Sequence, residues 1–133
     1  MNKTVYQIIL QYFQSDYDIK EKGFHDPVTT ADIKANDFLQ DFLLSSSPNY
    51  GWLSEENEDD RSRLNKKITY IVDPLDGTKA FLEGKKEFSI SVAMVKEGIP
   101  ISGIVYSPST DEMFEAEKNK GSWKNKKRIR ISK

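Results

Sequence analysis

A chain of 133 residues predicts one domain, large enough for a real core but short for a multi-layer enzyme. Its net charge of −1 gives no global field for nucleic acid or an acidic membrane, and 37% hydrophobic against 31% charged residues is a polar composition expected of a soluble protein. The absence of cysteine excludes disulfides and thiol chemistry and fits a cytoplasmic location, while no stretch is long enough to span a bilayer.

Along residues 4–13, Val5, Ile8, Ile9, Tyr12 and Phe13 recur at helical spacing. The apolar run inside this helix is short and follows no clear basic segment, so no signal peptide is expected. Residues 17–22 alternate loosely and suit a strand or an extended arm carrying Lys20 and Lys22. Thr30 then suits an N-cap, and Asp32 falls in the first turn, where the helix dipole favours negative charge. Ala31, Ile33, Ala35, Phe38, Leu39, Phe42 and Leu43 form the apolar stripe of the helix that follows, broken by Ser45-Ser46-Ser47-Pro48. The stretch 49–56 reads as a turn, a short strand and an acidic end at Glu55-Glu56. Glu58, Asp59 and Asp60 continue the charge as a solvated loop.

Ile71-Val72 reads as the end of a buried strand, followed by Asp73-Pro74-Leu75-Asp76-Gly77-Thr78. Pro74 removes a backbone donor, so the ladder is expected to stop there. Gly77 permits a sharp turn or a close backbone approach. Asp73 and Asp76 can point into one pocket with the Leu75 carbonyl between them, an oxygen set that suits Mg²⁺. The Thr78 hydroxyl then sits where a water can be activated. The same letters also describe an ordinary Asp-Pro-x-Asp-Gly surface turn. Glu55 ends an apolar strand as Asp73 does, and neighbouring strands can bring it beside Asp73 and Asp76.

Beyond this motif, residues 81–87 read as a turn or short helix. Residues 88–95 and 99–106 give a hairpin about Glu97-Gly98, and 112–117 a further strand before the turn at Asn119-Lys120-Gly121. The basic stretch 118–133, whose only aromatic is Trp123, reads as a solvated sheet edge rather than a nucleic-acid patch. The expected fold class is α+β, with helices packed on one face of an antiparallel sheet.

Asp-Pro-Leu-Asp-Gly-Thr-Lys-x-Phe from Asp73 resembles the signature of the inositol monophosphatase family of Mg²⁺-dependent, lithium-sensitive phosphomonoesterases. Pro-Val-Thr-x-Ala-Asp ending at Asp32 and Ser-Glu-Glu at residues 54–56 resemble the family's other site motifs. With Glu-Phe-Ser-Ile-Ser-Val-Ala-Met-Val from Glu87, these stretches look most like the CysQ type, the 3′(2′),5′-bisphosphate nucleotidases of sulfur metabolism. Inositol-1-phosphate and histidinol-phosphate phosphatases share the metal residues.

The resemblance implies the N-terminal half of a layered α/β/α/β/α fold. It assigns Glu55, Asp73 and the Leu75 carbonyl to one Mg²⁺, and Asp73 with Asp76 to a second, about 4 Å away in such sites. Thr78 activates water, oriented by Asp32, and Glu56 lies near that water. Glu55, Leu75, Asp76, Gly77 and Thr78 face the substrate, with Gly77 and Thr78 amides on the phosphate. The family often has a lysine near the site in the region of Lys20 and Lys22, though both also read as surface lysines. Partners are expected to be small phosphorylated substrates, not polymeric nucleic acid, and the location cytoplasmic, with the inner membrane face as an alternative. A second family half, carrying Trp-Asp-x-Ala and a further ligand aspartate, does not occur here. The sequence therefore reads as a truncated domain or fragment over residues 1–133. Its apolar strand edges invite a homodimer or aggregation, and an inactive Mg²⁺-binding remnant is the rival to an enzyme. A Ca²⁺-binding acidic-loop module is a further rival, but no EF-hand ligand spacing is present.

Overall fold

The computed structural model describes residues 19–21 and 27–130, with side chains from Thr30 onward. The helix expected over residues 4–13, and Lys22, lie outside the described residues, as does the side chain of Lys20. Strands β1 (Ile19–Glu21) and β2 (Pro27–Thr29) form a small antiparallel pair. Helix α1 (Thr30–Ser46) follows β2 directly and ends where the serine run was expected to break it. Seven strands then make one sheet in sequence order: β3 (Gly51–Ser54), β4 (Ile68–Asp76), β5 (Ser89–Lys96), β6 (Ile99–Ser107), β7 (Glu112–Glu117), β8 (Gly121–Lys124) and β9 (Lys127–Ile129). A short helix α2 (Thr78–Leu82) lies between β4 and β5, and a 3₁₀ turn (Ser62–Asn65) between β3 and β4.

Tyr70, Val72 and Ile90 alternate onto the helical face of the sheet, where they meet Ala31, Ala35 and Leu39 of α1. The two alanines let the helix backbone approach closely. Phe81 of α2 is fully buried and meets Phe88 edge-on with centroids 5.3 Å apart, a geometry that aromatic quadrupoles favour. Burying such a side chain contributes about 1.5–3 kcal/mol. The α+β reading, with helices against one face of a mostly antiparallel sheet, therefore describes this architecture.

Two local expectations are corrected. The ladder does not stop at Pro74: pairing skips from Asp73↔Ser91 to Asp76↔Ser89 and resumes, so β4 runs on to Asp76 across an irregularity. A proline lacks only its own donor, and a bulge there leaves the next residue able to pair. The β3–β4 pair is parallel, within a sheet expected to be antiparallel. Side-chain alternation carries no information on strand direction, and the stretch 55–67 is long enough for a crossover.

The opposite face of the sheet is apolar and open. Ile71, Val105, Phe114 and Ile129 retain between 36 and 42% of their accessible surface and line a broad groove of ≈ 760 Å³. The exposed apolar surface thus lies on a sheet face as well as at its edges.

Candidate metal centre

Parallel pairing decides where the acidic groups emerge. The last β3–β4 pair is Ser54↔Val72, so Glu55, just past the end of β3, and Asp73, the next residue of β4, stand at the same end of the two adjacent strands. Glu55 is exposed and Asp73 half-buried, and both border the open groove. The Asp73 carboxyl is raised from its ordinary 3.8 to about 6, chiefly by burial, then by the negative charges of Glu55 and Asp76, with Asp32 adding to them. A hydrogen bond from the Leu75 amide to Asp73 Oδ1 (3.3 Å) acts in the opposite direction without prevailing.

Three further carboxylates are therefore close enough to Asp73 to disfavour its ionisation. Among the described residues, however, no three acidic or histidine groups already stand together as a closed metal cage. The donor chemistry nonetheless fits Mg²⁺. The groups gathered here are hard oxygens, and the negative potential that raises Asp73 is one that a divalent cation relieves.

The turn after β4 is fixed by backbone conformation. Gly77 takes φ 86° and ψ 35°, in the left-handed region. An added Cβ there would fall 2.5 Å from the Glu87 carbonyl oxygen and 3.2 Å from Phe88 Cα, so only glycine fits. Thr78 begins α2 immediately afterwards. Its hydroxyl lies 3.2 Å from Asp32 Oδ2 and 3.2 Å from the Leu75 carbonyl oxygen. Asp32 itself is buried at the start of α1. A hydroxyl has one proton to donate, so with that proton turned to either acceptor its lone pairs can receive a hydrogen bond from water.

Sequence reasoning missed a second set of contacts from the same helix. Asn36 stands one turn beyond Asp32 and is 1% exposed. Its Oδ1 accepts from Ser54 Oγ at 2.6 Å, and its Nδ2 donates to Asn57 Oδ1 at 2.8 Å. The Trp52 indole N–H donates to the same Asn57 oxygen at 2.7 Å. The Glu56 amide donates to Ser54 Oγ at 3.3 Å, and the Asn57 amide to the Ser54 carbonyl at 3.3 Å. A signal was present in the sequence: an asparagine at i+4 from Asp32, within the apolar half of an amphipathic helix.

Curated relatives of this chain carry two kinds of name. An inositol-1-monophosphatase of Rhizobium meliloti is 40% identical over 110 residues, covering 83% of this chain and 41% of the relative. The 3′(2′),5′-bisphosphate nucleotidase CysQ of Escherichia coli is 37% identical over 114 residues, covering 85% and 46%. The chain thus spans less than half the length of these curated relatives. Extragenic suppressor protein suhB from Bartonella henselae superposes with a TM-score of 0.89 at 32% identity, over 96% of this chain and 50% of that one. An IMPase/NADP phosphatase solved with Mg²⁺ and phosphate shares the fold, with a TM-score of 0.84 at 24% identity, over 94% and 48%. The family model described as "Inositol monophosphatase family" matches residues 1–133, and the chain belongs to that family.

Proposed function

We propose that the chain forms the Mg²⁺-binding part of a phosphomonoesterase that hydrolyses a small phosphorylated metabolite, with a 3′(2′),5′-bisphosphate nucleotide such as adenosine 3′,5′-bisphosphate as the preferred substrate. One observation carries this reading. The raised Asp73, pressed by the charges of Glu55 and Asp76, stands on the same β4–α2 segment as a threonine hydroxyl bonded to a buried aspartate. Family membership and the Mg²⁺ and phosphate bound by a protein of the same fold support it.

Glu55, Asp73 and the Leu75 carbonyl would hold one ion, and Asp73 with Asp76 a second. Bound there, Mg²⁺ supplies charge neutralisation on the phosphate and acidifies water. Thr78 Oγ1 accepts a hydrogen bond from the attacking water while its own proton turns toward Asp32, with Glu56 close by. As the water passes its proton to Thr78 Oγ1 and the threonine proton moves on to Asp32, the water oxygen forms the new bond to phosphorus, the ester P–O bond breaks, and the departing alkoxide takes up a proton from solvent. The amides of Gly77 and Thr78 would orient the phosphate, with no covalent intermediate. Glu55, Leu75 and Asp76 border the same substrate. The reading treats residues 1–133 as a single unit of the larger family fold.

A second reading, inositol-1-phosphate hydrolysis, has its own support in the 40% identity to an inositol-1-monophosphatase. Phosphate release from both substrates, with Mg²⁺ and with added lithium, separates the two, with Asp73→Asn as the control. Lithium-sensitive release from the nucleotide, lost in the control, is expected. No release from either substrate by folded protein would refute the enzymatic reading for this chain and leave a metal-binding domain.

A further inference from the structure

The two carboxylate-bearing loops are held from one helix. Asp32 and Asn36 are four residues apart, so they lie on the same face of α1, and both are buried. Asp32 reaches the loop after β4 through Thr78. Asn36 reaches the loop after β3 through Ser54 and Asn57. Around that second loop, Ser54, Glu56 and Asn57 are tied by the Asn36 amide, the Ser54 hydroxyl and the 54–57 turn, and the Trp52 indole closes the set. Glu55 is the residue carried outward at the crown of this clamped turn. Both polar atoms of the Asn36 side chain are spent on it, and neither has solvent as an alternative partner.

We propose that Asn36, acting through Ser54 and Asn57, is a positioning residue for Glu55: it sets the angle and height at which this carboxylate meets Asp73. The inference rests on the reading above, in which Glu55 and Asp73 share a metal ion. A purely structural role would be satisfaction of two buried polar groups, which affects stability alone. A positioning role also changes metal affinity, because partners that orient a ligand typically change it by about 10–100-fold.

Tryptophan offers a readout that needs no turnover. The sequence holds two, and Trp123→Phe leaves Trp52, whose indole is part of the clamp, as the sole reporter. The protein in this background is titrated with Mg²⁺ while Trp52 emission is followed. Amide hydrogen exchange at Glu56 and Asn57 is measured without metal. The variants are Asn36→Leu, Asn57→Leu and Asn57→Asp. Asn57 is exposed, so its variants are not expected to threaten folding if Asn36→Leu does.

In Asn57→Leu we expect faster exchange at Glu56 and Asn57 and Mg²⁺ affinity weakened by about 10–100-fold. Asn57→Asp keeps the accepting oxygen and should avoid that loss of affinity. Parent-like affinity in Asn57→Leu overturns the inference, whatever happens to stability. A parent protein that takes up no Mg²⁺ overturns the metal reading itself and this inference with it. The two failures are therefore told apart by the parent titration.

Discussion

Thr78 Oγ1 lies 3.2 Å from Asp32 Oδ2, although 46 positions separate the two residues. The contact joins the start of α1 to the start of α2 and gives the threonine proton one of its two acceptors, the other being the Leu75 carbonyl. Replacing Thr78 with valine keeps the shape and removes the hydroxyl. Phosphate release should fall by about 10²-fold or more, the usual size of a lost proton-transfer partner. Thr78→Ser should retain most of the rate, and Mg²⁺ binding should persist in both variants. A valine variant with the parent's rate would remove Thr78 from the reaction.

Asp73 makes stability depend on pH in an unusual direction for a carboxylate. Its folded-state value of about 6 lies above the ordinary 3.8, so the folded protein binds this proton more tightly than the unfolded chain does. The associated stabilisation is complete below about pH 3.8 and is lost as pH rises through 6. Without metal, Asp73→Asn should raise the melting temperature at pH 8 and do less at pH 5. With Mg²⁺ the dependence reverses for the parent, since the ion requires the ionised carboxylate and binds better above pH 6. The asparagine variant should lose most of the Mg²⁺-induced rise. Melting curves at the two pH values, with and without Mg²⁺, test both statements.

Gly77→Ala meets two obstacles at once, a left-handed backbone and the Glu87 carbonyl. The conformational part alone costs about 1–2 kcal/mol. The urea midpoint should drop with an unchanged slope. A variant as stable as the parent would show that the turn can relax into another conformation.

The open sheet face carries Val105 and Phe114 directly opposite one another on β6 and β7. Folded protein should bind an apolar fluorescent dye there, and Val105→Lys should reduce the emission without loss of secondary structure. Unchanged dye binding would place the sticky surface elsewhere.

Much of this was legible from residue pattern. The stripe from Ala31 to Leu43 gave α1, and alternation in 88–95 and 99–106 gave β5 and β6 nearly to their ends. The Asp-Gly-Thr turn could be read because a glycine conformation is a local requirement, whereas its pairing with Asp32, 46 positions away, came only from the resemblance to the family's motifs. The continuation of β4 past Pro74 was hidden, since pairing after a bulge depends on the neighbouring strand. Strand direction was hidden for the same reason. Asn36 and Asn57 escaped because their contacts form only once α1, β3 and the 54–57 turn are assembled, although the i+4 spacing of Asn36 from Asp32 was there to be read.

The parallel pairing of β3 with β4 has one more consequence. No hairpin links these strands, so no tight turn sets how they slide past each other. A slip of one residue would carry Glu55 about 3.3 Å along the strand axis and turn it to the other side of the sheet. A lock against sliding is visible at Gly51, opposite Thr69. A Cβ there would stand 2.6 Å from Thr69 Oγ1 and 2.8 Å from Arg63 Cβ, so the bare backbone seats in a notch that no larger residue can enter. The sheet's hydrogen-bond ladder thereby acts as a ruler, and the gap between the two acidic loops is measured out at the far end of the strands by a missing methyl group.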